Sequence, residues 1–339
     1  MKVNINILII VALIVSVLHG QSYMGSAAFL KRGVSARAIG MGLAYTAQVD
    51  DPSASFWNPA GLLNTKGFQI QLSDSQDGLS NFKAFGDVNN PQFGLSYFFR
   101  KPLLSNIYWA VGLAASGYFV KGIDEYDYES NFIGSFNYGE YAVFFSTAFK
   151  VRIFKLGITW KFIEQNIAVN DRFIQNNKES LMKKPHDFGI MFNPTKYLTI
   201  GMVIRDSIRV GIYDYYPRSS QLGVKFDLNN IESISLPHII IATDVIVIEN
   251  SSNKVNMGCE YKHLFKNNIS LAVRMGLSNL LFSMDENVNY LDKIYSINKK
   301  GSVGLGIEKN KWRFDIAVQQ EVIRNPYSRI TVFTINRRL

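Results

Sequence analysis

The chain has 339 residues, a single cysteine, nine prolines, four histidines and charges on only 19% of its positions. One thiol, Cys259, excludes an internal disulfide and any Cys-rich zinc or iron–sulfur site. His19 lies in a segment expected to be removed, which leaves His186, His238 and His263 scattered and gives no metal cluster a footing. The charged fraction falls below the roughly 25% usual for soluble domains. After the amino terminus no apolar run reaches 18 residues, so the chain does not read as a helical membrane protein. Enzyme signatures are missing too: there is no G-x-S-x-G, H-E-x-x-H or Walker motif, and Gly40-Met41-Gly42-Leu43-Ala44-Tyr45 lacks the last glycine of a dinucleotide fingerprint. No catalytic residue, metal or cofactor is expected.

An apolar run from Ile5 to Leu18 follows Lys2. Its length suits a secretory leader and falls short of a bilayer-spanning helix. Residues 1–20 therefore read as a signal peptide, with Ala27 as a second candidate cleavage point. Cleavage after Gly20 leaves 35 basic against 27 acidic residues. These are spread without a concentrated stripe, which argues against nucleic acid. Lys183-Lys184 and Lys299-Lys300 read as solvated loop faces.

Strict alternation dominates what remains. Phe154, Leu156, Ile158, Trp160 and Phe162 alternate with Lys155, Gly157, Thr159 and Lys161, giving a strand with one apolar and one polar face. The pattern recurs from Ile107, Leu198, Leu222, Val255, Ile269 and Trp312 onward. With weaker runs it predicts about fourteen strands over 67–339. A soluble sandwich would also bury one face. Here, however, the apolar faces are crowded with large aromatics while the opposite faces carry charges in mid-strand. A Lys or Arg facing lipid at the midplane costs roughly 2–4 kcal/mol, so Lys155, Arg205, Lys225, Glu260 and Arg274 are expected to face a lumen. Closure follows, because an open sheet edge in hydrocarbon leaves peptide groups unpaired. The fold class is thus all-β: a transmembrane antiparallel up-and-down barrel of about 14 strands, sited in the outer membrane of a Gram-negative-type bacterium. Connections alternate long and short as in such barrels, apart from 228–236 and 250–252. In the run 237–249, apolar on both faces, Asp244 fixes the register: it should point inward, with Ile240 and Ile246 pressing on something packed there.

That something is expected to be segment 21–66, which lacks alternation. Glycines recur on the inward phase of the strands (Gly94, Gly112, Gly157, Gly189, Gly201, Gly223, Gly258 and Gly304). They suit either close approach of an inserted backbone or bending for closure. Asp51-Pro52 predicts a helix start with Asp51 as cap, and Asn58 before Pro59 keeps the helix short.

The blocks Gly33 to Gly42, Ala44-Tyr45-Thr46-Ala47, Asp50 to Ala54 and Trp57-Asn58-Pro59-Ala60-Gly61-Leu62 resemble the amino-terminal signature of the PorV/PorQ group within the FadL-like outer-membrane proteins. Leu43 and Gln48 depart from it, standing where a glycine and a small residue are usual. The end Arg337-Arg338-Leu339 lacks the terminal aromatic that often serves as an assembly signal, with Phe333 the nearest substitute. The resemblance implies a fourteen-stranded barrel with a hatch in which Gly40, Gly42, Asp51, Trp57, Asn58, Pro59, Ala60 and Gly61 hold the key positions. It implies two possible roles. The first is association with type IX secretion, with secretion subunits or cargo carboxy-terminal domains as partners and cargo shuttled at the cell surface. The alternative is uptake of hydrophobic small molecules through a hatch-gated lumen with a lateral opening. Tyr45, Phe56 and Trp57 read chiefly as packing that fixes the hatch. Outer-membrane lipid is a partner under either role.

Overall fold

The computed structural model describes residues 30, 32–77, 87–99, 101–103, 107–169, 172–178, 186–205, 208–210, 214–216, 218–230, 238–248, 253–283, 299–321 and 329–339. The expected leader, 1–20, lies outside the described residues.

Alternation of apolar and polar residues builds the wall. Its strands are β1 (Phe68–Asp77), β2 (Asp87–Phe98), β3 (Ile107–Tyr126), β4 (Phe132–Val151), β5 (Phe154–Val169), β7 (His186–Phe192) and β8 (Leu198–Arg205). The second half comprises β11 (Ser219–Asp227), β12 (His238–Ile248), β13 (Asn253–Leu264), β14 (Ile269–Ser283), β15 (Lys300–Lys309), β16 (Trp312–Glu321) and β17 (Ile330–Arg338). Each pairs antiparallel with the next, and β17 returns to β1 from Gln69 opposite Arg338 to Asp77 opposite Ile330, closing a fourteen-stranded barrel. The carboxy terminus takes part in this closure: the Leu339 N–H donates to the Phe68 carbonyl at 2.9 Å.

All fourteen strands coincide with the alternating runs of the sequence. Their ends do not. β3 and β4 each run 20 residues and pair well beyond the alternating core. β6 (Arg172–Lys178) extends a hairpin with β5, and β9 (Ile208–Val210) pairs with β10 (Asp214–Tyr216), all inside stretches that read as loops. Alternation marks a strand only where its two faces meet different media. The tip of the β3–β4 hairpin has its large side chains exposed, Tyr126, Tyr128, Phe132 and Ile133 among them, so its sequence carries no such contrast. The connections 228–237 and 249–252 break the long–short alternation in the structure as in the sequence.

Outward positions form the apolar belt. Leu271, Val273, Met275 and Leu277 on β14 and Val303, Leu305 and Ile307 on β15 are all exposed, while Arg274, Ser278 and Ser302 between them are buried inside. Aromatics gather at the short-turn end, where Phe99 stacks on Trp109 at 3.6 Å between centroids and Trp312 stacks on Phe314 at 6.0 Å. No helix among the described residues is long and apolar enough to cross a membrane.

Inside the cylinder lies segment 32–65, made of α1 (Ala36–Gly40), a turn through 41–49, α2 (Ala54–Trp57) and a 3-10 helix (Pro59–Asn64). Both α-helices are too short to persist alone; the wall holds them. Tyr45, Ile39, Met41, Leu62 and Val49 are among the most buried side chains of the protein.

Replacing Leu305 by Lys puts a charge on the outward face in mid-strand. The unfolding free energy in lipid vesicles should fall by roughly 2–4 kcal/mol, read from urea titrations followed by heat-modifiable gel mobility. An unchanged midpoint would mean that this face does not meet lipid.

Candidate functional site

Glycines let the inner segment reach the wall. A Cβ built at any of the eight inward glycines named above would lie against segment 40–62: at Gly94 it meets Pro52 at 2.9 Å, at Gly201 the Thr46 carbonyl at 2.8 Å, and at Gly304 the Cα of Gly40 at 3.1 Å. Gly276, absent from the sequence-based set, packs on the backbone of Gly42. Of the two readings of these glycines, close approach is the one this geometry supports. Gly42 has φ +61 with Leu277 and Met257 backbone atoms close by, so a side chain there meets both strain and collision. Leu43, where the resembled family has glycine, also holds a positive φ, +64. Gln48, the other departure, is buried, with neither end of its amide hydrogen-bonded among the described residues.

An ionic network ties the inner segment to one side of the lumen. Arg37 donates from Nε and Nη2 to the two oxygens of Glu260, each at 3.0 Å, and from Nη1 to Asp50 at 2.6 Å. Burial alone would weaken the Arg37 charge, but Asp50 and Glu260 overcome this and hold its pKa above the ordinary arginine value. Arg274 donates to Glu260 at 2.5 Å and to Asp315 at 2.8 Å. Arg313 donates to Asp315 at 2.9 Å and to Asp51 at 2.8 Å. Asp51 also accepts from the Tyr45 hydroxyl at 3.0 Å. Four carboxylates thus meet three guanidinium groups, and a charge left alone here would cost several kcal/mol.

Asp51 makes the capping contacts expected of it, although the regular helix α2 starts only at Ala54: its side chain accepts from the Ser53 N–H at 3.0 Å and from the Ser53 hydroxyl, and its carbonyl accepts from the Ala54 N–H at 2.9 Å. Its second carboxylate oxygen is taken by Tyr45 and Arg313, a tertiary demand that local sequence does not announce. Asn58 also caps: it accepts from the Ala60 N–H at 3.1 Å at the head of the 3-10 helix, and its amide donates to the Thr46 and Ile190 carbonyls. Pro59 and Ala60 seat against Gly157, Pro59 also against Gly189, and Gly61 against Val49. Trp57 donates its indole N–H to the Val34 carbonyl at 2.9 Å and meets Tyr45 and Phe56 edge-on.

Asp244 faces inward and accepts the N–H groups of Tyr45 and Thr46 at 2.9 and 3.0 Å. Ile240 is buried on the same face, and Ile246 lines a void above the inner segment. Lys155 reaches Asn64, and Arg205 donates to the Trp57 carbonyl at 2.8 Å. Lys225 shares the inward phase of Gln221 and Gly223. Arg313 and Asp315 stand out as network members that the sequence reading did not single out, although both lie on the polar phase of β16.

The opposite side of the lumen is different in kind. There Phe56, Leu62 and Leu63 pack on Ala110, Ala114, Ala142, Phe144 and Ala148 of β3 and β4. Polar ties to this side are few; Gln92 holds the Ser35 N–H at 3.2 Å and the Gly33 carbonyl at 3.3 Å. Beside Gln92 the pairing of two wall strands lapses, although both strands run on in one register. The β2–β3 ladder pairs Asn89 with Phe119 and resumes at Gln92 with Ser116, skipping Asn90 and Pro91 opposite Tyr118 and Gly117. A cavity of about 500 Å³ opens on the outside at this point. It is lined both by outward residues, Leu72, Phe93, Gly117, Phe119 and Phe333, and by inward ones, Ser73, Gln92, Ser116 and Ala142. A small void bounded by Phe56, Phe144, Gln92 and Ser116 lies on the inner side, and a void of about 110 Å³ on the side of the long connections shares Phe56 and Phe144 with it and is lined by Leu30, Trp57 and Ile246 together with Lys161, Asp187 and Arg205. Below the inner segment a third void, about 140 Å³ and strongly charged, faces the short turns.

No protein-family model and no curated protein matches the chain. Among solved structures it is similar to the CymD monoaromatic hydrocarbon channel, with a TM-score of 0.58 at 10% identity over 91% of this chain and 98% of that one. It is similar to the toluene transporter TbuX of Ralstonia pickettii, with a TM-score of 0.56 at 12% identity over 91% and 98%. A FadL homologue from Pseudomonas aeruginosa gives 0.53 at 11% identity over 86% and 95%. The fold is therefore that of the FadL-like outer-membrane channels.

Glu260→Gln leaves Arg37 and Arg274 facing a neutral amide. We expect a loss of about 3 kcal/mol or more in stability, with segment 32–65 cleaved by added protease before the barrel unfolds. Full protection of that segment in the variant would deny the network its anchoring role.

Proposed function

We propose that the protein is an outer-membrane channel for small hydrophobic molecules, with segment 21–66 as its hatch and the lapse in β2–β3 pairing as a lateral door. The observation that carries this reading is the cavity at Pro91 and Gly117, which touches residues of both wall faces and shares Gln92 and Ser116 with the small void beside Phe56 of the inner segment. A solute entering from the long connections would meet Leu30, Phe56, Trp57 and Phe144, pass the seam between Phe56 and Ala114, and leave sideways beneath Phe119. The apolar side chains on that path form a succession of surfaces for a hydrophobic solute, with Lys161, Asp187 and Arg205 bordering only its upper void. The ionic side offers no such route, since opening it would strip paired charges of their partners.

The channels named above, one for monoaromatic hydrocarbons and one for toluene, share this fold and lend support. Membership of the PorV/PorQ group rests on the amino-terminal residue blocks alone. Those blocks are compatible with cargo shuttling in type IX secretion, the role that the resemblance placed first; the wall cavity puts solute transport ahead of it.

Intact cells carrying the protein in their outer membrane should take up radiolabelled toluene faster than cells without it. Ala115→Trp, which fills the cavity from the outward face, should return uptake to the background rate while the barrel stays folded. Equal uptake with and without the protein defeats the reading, and capture of a secreted protein's carboxy-terminal domain in the same cells would then favour cargo shuttling.

A further inference from the structure

The wall cavity contains one feature that a passage for plain hydrocarbon does not need. Asp74 lies on the outward phase of β1, between buried Ser73 and Ser75, and its side chain is exposed at the cavity rim. Across the two neighbouring strands it stands opposite Phe333 and Pro91. Toward the short-turn end its outward neighbours are Leu72, Phe93 and Ile335; toward the long connections they are Gln76, Asn89 and Thr331. None of these carries charge. No hydrogen bond or ion pair joins Asp74 to another described residue. The other ionisable side chain lining the cavity, Tyr141, already donates its hydroxyl to Glu164.

A carboxylate at the boundary between an apolar belt and a polar rim, with no partner among the described residues, is open to a ligand that brings one. The chemistry it selects is a cation or a strong hydrogen-bond donor. The cavity below, floored by Leu72, Phe93, Phe333 and Ile335, takes an apolar body. Taken together, the geometry points to an amphiphile with a hydrophobic body and a protonated amine, seated with its ammonium on Asp74 and its body against the β1–β3 wall. We infer that hydrophobic amines are the substrate class this door prefers over hydrocarbons and over amphiphiles with anionic heads. The inference rests on the channel reading and narrows it.

The test compares octylammonium, octanol and octanoate, titrated calorimetrically into the full barrel held in amphipol. Octylammonium should bind at least about tenfold more tightly than either of the others, equivalent to about 1.4 kcal/mol. Asp74→Asn should erase that preference while leaving octanol binding unchanged, and Asp74→Glu should keep it. Asp74 is exposed, so both variants should retain heat-modifiable mobility. Equal affinity for the three probes, or an amine preference that survives Asp74→Asn, overturns the inference. If octanol still binds and Ala115→Trp abolishes that binding, the channel reading stands without it; if none of the three binds, both fall.

Discussion

Peptide groups in hydrocarbon have no water to turn to, and this constraint organises the whole molecule. It forces the sheet to close, so that β1 meets β17 along nine residue pairs and the last residue still donates to Phe68. It also gives meaning to the one place among the described residues where neighbouring wall strands skip pairs within an otherwise constant register. Between β2 and β3 the ladder is open at Asn90 and Pro91, and proline has no N–H to lose there. An interruption of this kind is tolerated where the backbone borders a cavity or packed protein, and here it borders both.

A closed wall poses a second problem, that of its interior. Fourteen strands enclose more space than their own inward side chains fill, and the inner segment takes up much of the remainder. Its two sides are held by different forces. Toward β13–β16 the contacts are bidentate and charged, running from Arg37 through Glu260, Arg274, Asp315 and Arg313 to Asp51. Toward β3 and β4 they are mostly alanine, leucine and phenylalanine surfaces meeting without directional bonds. Such a seam can part at a cost set by area, whereas the ionic side breaks only by exposing unpaired charge. The asymmetry therefore assigns motion, where it occurs, to the same side as the gap in the ladder.

Voids, seam and ladder gap lie on one side of the lumen, between the long connections and the outward surface at Asp74. Under the proposed function this is the path of the solute and Asp74 sets its preference. The charged void below the inner segment lies off this path, separated from it by the network around Arg37.

Period-two alternation is a local property, and it sufficed to define the barrel: each of Phe154 to Phe162 answers only to the medium on its own side of the sheet. The inward glycines and the non-alternating stretch before residue 67 likewise announced that something occupies the lumen. Strand ends went unread where both faces are wet, as in the upper halves of β3 and β4, because no contrast remains to be written into the sequence. The capping contact of Asp51 with Ser53 is legible locally, whereas its other partners, Tyr45 and Arg313, are brought to it by the fold. Arg313 and Asp315 passed as ordinary polar-phase residues, and Asp74 as part of a weak strand, since nothing local distinguishes a charge in a network from one at a rim. Composition and periodicity thus determined the class of structure, which depends on neighbours two residues away. Closure of the cylinder and the seating of the inner segment decided which charges meet, where the wall opens and what faces the opening, because those distances run between residues up to some 260 positions apart in the chain.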